Sequence, residues 1–329
     1  MKNHDSEENI RRRYRTLIDD ELRAVDVLHR RAHVLGLGTA ISLRENHPIP
    51  LAQYEDLAGE LSASALRNPS ALMFCVGAYD ENGHTHAMGT ASLMILVASH
   101  MRLSENDIIQ AGVAGLLHDI GKINVNPKVL DKPGPLTMEE FRVVALHPGL
   151  GSDILGARHH GVDADIRDVV RHHHERLDGA GYPDRLAGEE IPRLTRLTAI
   201  TDAYDALTRD RPYHAALTVT GAVGVLRQTA HGKFDPQLLE DFIACLGPYP
   251  AGTLVQLTSR RLGFVVEQRE ENPAEPLVNV FFDTSTRSPL KPVLEDLALH
   301  QEEHVASIER PSLWDIDLPM QMRLFARLH

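Results

Sequence analysis

The chain has 329 residues, enough for one large domain or two to three modest ones around a packed core. Its 34 Lys and Arg stand against 46 Asp and Glu, a formal net charge of −12 that argues against broad binding to nucleic acid or an anionic membrane and leaves room for a local basic pocket. The two cysteines, Cys75 and Cys245, are far apart and lack CxxC spacing, which speaks against a disulfide framework or thiolate zinc site and fits a reducing compartment.

The opening MKNHDSEENIRRRYR has no apolar core and does not read as a signal peptide. The longest apolar run, ASLMILVASHM (91–101), is too short to span a bilayer. A soluble, cytoplasmic protein is the expectation. Residues 1–70 are charged and helix-favouring, interrupted by NHPIP (46–50), and carry no motif. They read as an N-terminal helical extension, either solvated or used for dimerisation or partner binding. Residues 71–247 have helical patterning, with turn signals at DENG (80–83), KPGP (132–135), HPGLG (147–151) and DGAGYP (178–183). Ser104 with Asp107, and Thr137 with Glu140, have the spacing of capping boxes. FDPQLLEDFIACLG reads as an amphipathic helix with a glycine stop. Past Pro248 the pattern changes to TLVQLTS, GFVVEQ and LVNVFFD, three short strands of an antiparallel unit at about 250–285. A charged tail with a short helix near 316–328 closes the 248–329 segment. The expected fold class is mainly all-α with a small C-terminal β unit.

Histidine is the unusual residue: there are 19, clustered at 84–86, 118, 147, 159–160 and 172–174. Helical phase sorts the last group. Ile166, Val169 and Val170 define an apolar face; steps of three, four and seven lead to His173 and His174, whereas His172 follows Asp165 and Asp168. So His173 and His174 are expected to face the core, and His172, like His159 and His160, to face solvent. His147 follows Val143 and Val144 on an apolar face, with Pro148 expected to end its helix. His118 and Asp119 close the small-residue helix AGVAGLL. His86 opens the helix through 91–101, and Asp202 lies four residues after Thr198 on another. Five imidazoles and two carboxylates are too many donors for one ion and suit two, with a carboxylate between them. Mixed nitrogen and oxygen donors without thiolate make iron and manganese as suitable as zinc.

HDIGK (118–122), HPGLG (147–151), HHERLDGAGYP (173–183), AITDAYDALTRDRPY (199–213) and GKFDP (232–236) resemble the HD-GYP family, the branch of the HD metal-dependent phosphohydrolases whose members are bacterial cyclic di-GMP phosphodiesterases. The likeness covers about residues 80–245. It implies an HD-type helical bundle and two divalent metal ions, iron or manganese. It makes His86, His118, Asp119 and Asp202 one metal site, and Asp119 the bridge to a second formed with His147, His173 and His174. It also implies that Lys122 meets the substrate phosphate and that Tyr182, Arg211 and His214 line the substrate pocket. Three departures stand out. Asn82 occupies a position where some members have a third-metal glutamate, with Glu81 beside it. HAMGT (86–90) is a reduced first motif, with His84 a rival for His86. His214 replaces the lysine of RPYK.

The implied reaction is phosphodiester hydrolysis by a hydroxide bridging two ions, converting cyclic di-GMP to pGpG and onward to GMP. Lys122 and Asp119 are the implied catalytic residues. Cyclic di-GMP is the implied partner, alongside a homodimer mate or signalling protein, with neither nucleic acid nor membrane insertion. Two alternatives stay open: a non-catalytic cyclic dinucleotide-binding module, and an HD phosphohydrolase for another cyclic nucleotide. Glu175 and Asp178 are read as orienting ligand histidines, with local pairing to Arg171 or Arg176 the alternative for Glu175, and Gly179 and Gly181 as positive-φ turn residues.

Overall fold

The computed structural model describes residues 2–78, 85–130, 132–158, 161–209, 216–269, 271–300 and 302–327. The helices are α1 (Lys2–Arg44), α2 (Leu51–Arg67), α3 (Pro69–Ala78), α4 (Thr85–His100), α5 (Glu105–Leu117), α6 (Pro127–Leu130), α7 (Met138–Val144), α8 (His147–Arg158), α9 (Ala164–His172), α10 (Arg193–Thr208), α11 (Val219–Thr229), α12 (Pro236–Leu246) and the C-terminal α13 (Leu318–Arg327). Between α12 and α13 run β1 (Leu254–Leu257), β2 (Arg261–Glu267), β3 (Leu277–Asp283), β4 (Ser288–Asp296) and β5 (Val305–Ile308). No described helix is long and apolar enough to cross a membrane.

Local sequence sets most boundaries. The Ser104 hydroxyl accepts from Asp107 N–H, and Thr137 and Glu140 form a reciprocal capping box. Asp235 caps α12 ahead of Pro236, and Gly247 ends it at φ 66°. Pro148 departs from the expectation: α7 ends at Val144, and Pro148 sits in the first turn of α8 rather than ending a helix. The first turn has no need of its missing N–H, so proline starts a helix there.

Helix α4 is buried on nearly every side from Met88 to Ala98, which explains its uniform apolarity. Its closest neighbour is α5, and the approach depends on small residues: a Cβ on Gly115 would lie 2.5 Å from Ala91 Cα. On α1, Ile18, Leu22, Val25, Leu28 and Leu35 share a core with Leu57 and Leu61 of α2 and Met94 of α4. The spacing of three, four and seven is what one buried helix face requires.

The β unit is larger than the sequence reading allows. Five antiparallel strands lie in the order β4-β3-β2-β1-β5, so two strands occupy what reads as the tail. β4 carries Pro289 and Pro292, which mask it in a propensity scan, but it is an edge strand and an edge tolerates proline. Leu262, Phe264 and Val266 join the helical core. Phe264 contacts Phe74 of α3 and Phe325 of α13 with ring centroids 5.6 Å away in both cases.

Replacing Phe264 by Ala should therefore destabilise the protein by about 3–5 kcal/mol, the range for a fully buried aromatic. Equilibrium urea unfolding measures it. A loss below about 1 kcal/mol would show that this sheet face contributes little to the core.

Candidate metal centre

The seven donors picked from the sequence converge where the start of α4, the end of α5, the start of α8, the end of α9 and the middle of α10 meet. Their tautomers can be read from the backbone. His118 Nδ1 is 2.8 Å from Gly115 O, and His147 Nδ1 is 2.7 Å from Val144 O. His173 Nδ1 lies 3.2 and 3.1 Å from Val169 O and Val170 O. A carbonyl oxygen only accepts, so each Nδ1 carries the proton and each neutral ring presents a lone pair at Nε2. These lone pairs point at one another and at acids. His147 Nε2 and His173 Nε2 are 3.2 Å apart, and buried His118 Nε2 has no hydrogen-bond partner.

Asp119 stands between two groups of rings. Its Oδ2 lies 3.4 Å from His118 Nε2 and 3.7 Å from His86 Nε2. Its Oδ1 lies 3.1 Å from His147 Nε2 and 3.7 Å from His173 Nε2, with no hydrogen bond of good geometry. One donor atom from each of Asp119, His147, His173 and His174 falls within a 4.8 Å cluster, as does one from each of His86, His118 and Asp119. Asp202 Oδ1 adds to the latter, 2.9 Å from His86 Nε2 and 3.9 Å from His118 Nε2. Facing lone pairs and an orphaned buried carboxylate oxygen are costly without a cation. The residues present fit two divalent ions sharing Asp119.

Charge states agree with this arrangement. Burial opposes ionisation of Asp119, but the Lys122 ammonium holds its carboxyl well below the usual range; Lys122 Nζ is 2.5 Å from Oδ2. Burial lowers the pKa of His173 and, with the neighbouring His173, that of His174, so both rings are kept neutral as ligands need. His86 differs. Burial disfavours its charge, but hydrogen bonds to Asp202 and Asp205 prevail and push it up to about 9.

Asp205 is a site residue that the sequence reading missed. Its Oδ2 is 2.6 Å from His86 Nδ1, and Arg209 grips it through Nε at 2.5 Å and Nη2 at 2.9 Å. The available signal was its spacing, three after Asp202 and so on the same helix face. Gly89 makes room: a Cβ there would run into the Asp205 carboxylate.

His172 requires a correction. It is buried, at 9% exposure, not solvent-facing. Its Nε2 lies 2.9 Å from Asp184 Oδ2, and Arg171 binds the same carboxylate. The polar face of α9 is covered by the loop after the GYP turn, a tertiary contact that helical phase does not see. Glu175 neither orients a histidine nor pairs with an arginine; its Oε1 accepts from the N–H groups of Asp184 and Arg185, pinning that loop. Asp178 departs from the expectation as well, accepting from Arg176 and from Ala180 N–H rather than orienting a histidine. Gly179 has φ 71°, as expected. Gly181 is not at positive φ; it is needed for close approach, because a Cβ would lie 2.5 Å from Glu175 Cα. Tyr182 lies over His174, ring centroids 4.9 Å apart, and meets Phe141 at 5.9 Å. Glu81, Asn82, His84, His159, His160, Arg211 and His214 lie outside the described residues.

A family model described as HD domain matches residues 69–238. The cyclic di-GMP phosphodiesterase PA4108 of Pseudomonas aeruginosa is 38% identical over 305 residues, covering 92% of this chain and 73% of that protein. The cyclic di-GMP phosphodiesterase response regulator RpfG of Xanthomonas campestris pv. campestris is 40% identical over 146 residues, 44% of this chain and 38% of RpfG. The 3'3'-cGAMP-specific phosphodiesterase 3 of Vibrio cholerae is 36% identical over 152 residues, 46% of this chain and 33% of that protein. Among solved structures, Bd1817, a HDG"Y"P protein from Bdellovibrio bacteriovorus, shares the fold: TM-score 0.56, 18% identity, 72% of this chain and 79% of that one.

Two outcomes are expected. A ligand nitrogen cannot keep its proton, so metal loading at His86 should release one below about pH 9 and none above it. Apparent affinity should then rise with pH through that range, and calorimetry in buffers of different ionisation enthalpy reads the proton. In the metal-free protein the raised pKa has the opposite sign: its stabilisation is full below about 6.5 and is lost as pH rises through 9. Separately, His172→Ala should cost about 1–3 kcal/mol in urea unfolding by removing a buried polar partner, yet leave metal content intact. Loss of an ion from that variant would place His172 among the ligands.

Proposed function

The chain belongs to the HD-GYP family of HD-domain proteins, and from that membership we propose that it is a metal-dependent phosphodiesterase that hydrolyses cyclic di-GMP to pGpG and onward to GMP. The observation that carries this reading is the Asp119 carboxylate, with one oxygen turned to each of two imidazole groups. We assign His86, His118, Asp119 and Asp202 to one ion, and Asp119, His147, His173 and His174 to the other. Imidazole and carboxylate donors without thiolate favour iron or manganese.

When bound, two such ions supply Lewis acidity toward the phosphate and a solvent nucleophile that ionises near neutral pH. The chain's own residues do the rest. The backbone carbonyls of Gly115, Val144, Val169 and Val170 hold three imidazoles in the donor tautomer, so no reorganisation is needed at loading. Asp119 stays ionised at neutral pH, which suits a shared ligand and makes it a poor acid for the leaving 3′ oxygen. Lys122, 34% exposed beside Asp119, is placed to add positive charge where the phosphate gains negative charge in the transition state. Tyr182 presents an aromatic face above His174, suited to a base of the substrate. Arg211 and His214 are proposed to complete the pocket. A cytoplasmic location agrees with a nucleotide second messenger as substrate.

The likeness to a protein named as cGAMP-specific makes the choice of cyclic dinucleotide the main alternative. Protein purified anaerobically and loaded with Fe(II) or Mn(II) should linearise cyclic di-GMP, and His173→Ala should lower turnover at least about 100-fold. Chromatography of products from cyclic di-GMP and 3'3'-cGAMP, run side by side, ranks the substrates. No turnover of either with any metal would sink the enzymatic reading.

A further inference from the structure

Lys233 is half-buried on the loop joining α11 to α12. That loop is tied to the turn after α9: Asp178 N–H donates to Gly232 O at 2.7 Å, and Leu177 N–H to Lys233 O at 3.4 Å. The next residue, Phe234, is buried with Leu197, Ile200 and Tyr204 of α10, the helix that carries Asp202. The Lys233 ammonium stands 4.7 Å from the centroid of the Phe234 ring. It is thus held between the GYP turn and the Asp202 helix, close enough for Asp202 to act on its charge.

What is unusual is its lack of a counter-ion. Lys122 has Asp119 and Lys132 has Glu140, while Lys128 and Lys291 are exposed to water. Lys233 makes no ion pair with a described carboxylate; its ammonium meets the Phe234 ring instead. Burial and repulsion from Arg176 press its pKa down, and only the more distant Asp202 opposes them. A desolvated ammonium kept without a carboxylate beside a dimetal centre is a site for an anion that arrives from outside. The sequence also has His214 where the family has a lysine, so one cation expected at the substrate is missing from its usual place.

We propose that Lys233 is a substrate-binding residue that holds the second, uncleaved phosphate of the cyclic dinucleotide. A cyclic dinucleotide carries two phosphodiesters, and the ions with Lys122 serve only the one being cut. This inference rests on the phosphodiesterase reading above. It makes Lys233 selective for substrates with two phosphates.

The test compares wild type, Lys233→Ala and Lys233→Arg, metal-loaded, on cyclic di-GMP and on bis(p-nitrophenyl) phosphate, which has a single phosphate. Lys233→Ala should raise KM for cyclic di-GMP about 10- to 100-fold with kcat little changed. Its kinetics on bis(p-nitrophenyl) phosphate, metal content and melting temperature should stay at wild-type values, and Lys233→Arg should recover most of the KM. Wild-type turnover of cyclic di-GMP with KM unmoved in Lys233→Ala overturns this inference alone. So does an equal loss on both substrates, which marks a structural role. Absence of cyclic dinucleotide turnover by the wild type overturns the reading beneath it.

Discussion

The structure is organised around a conflict that protein groups alone do not resolve: His147 and His173 aim their Nε2 atoms at each other across 3.2 Å. Each ring has its Nδ1 proton committed to a backbone carbonyl, so two lone pairs face each other in a buried space, with an ionised carboxylate alongside. A cation held between them would make this favourable. The packing serves the same end. Gly115 brings α5 against α4, and Gly121 lets the first turn of α8 come so close that a Cβ would collide with the His147 carbonyl. The carbonyl anchors are helix-end groups, so the fold that places the helix ends also sets the ring tautomers.

The GYP turn depends on a second buried acid. Glu175 directly follows the paired histidines and spends Oε1 on two N–H groups of the returning loop. Asp184 on that loop is clamped by Arg171 and His172, which hold its carboxyl down at about 2. The tripeptide His172-His173-His174 therefore faces two ways. One ring ties down the loop and two face the donor cluster, and the loop in return carries Tyr182 onto His174. The loop and the donor cluster are thus fixed by the same few residues.

Much of this was legible in the sequence because it is written in short-range pattern. Phase along one helix puts His173 and His174 inward, and cap spacing opens α5 and α7. What was missed depends on contacts between distant segments. The partner of His172 is twelve residues away across a turn, and that of His86 is Asp205 on α10. Neither pairing has a period. Strand β4 was hidden for another reason: its two prolines lower its propensity, and only its place at the edge of the sheet makes them tolerable.

The candidate ligand histidines differ in how they are held. His118, His147 and His173 are anchored by backbone carbonyls, which have neither charge nor rotamers. His86 is anchored by a carboxylate that itself depends on Arg209 and on the space above Gly89. Further out, burial and the Arg209 charge press the His29 imidazole of α1 down to about 4. The placement of His118, His147 and His173 thus follows from the helical backbone itself. That of His86 also requires an acid and an arginine to be in place. The first motif of the family is reduced here to HAMGT, and the missing side chain is not a vacancy: Gly89 gives up its volume so that Asp205, held by Arg209, can reach the histidine. A larger residue at that point would cost the support on which this ligand depends.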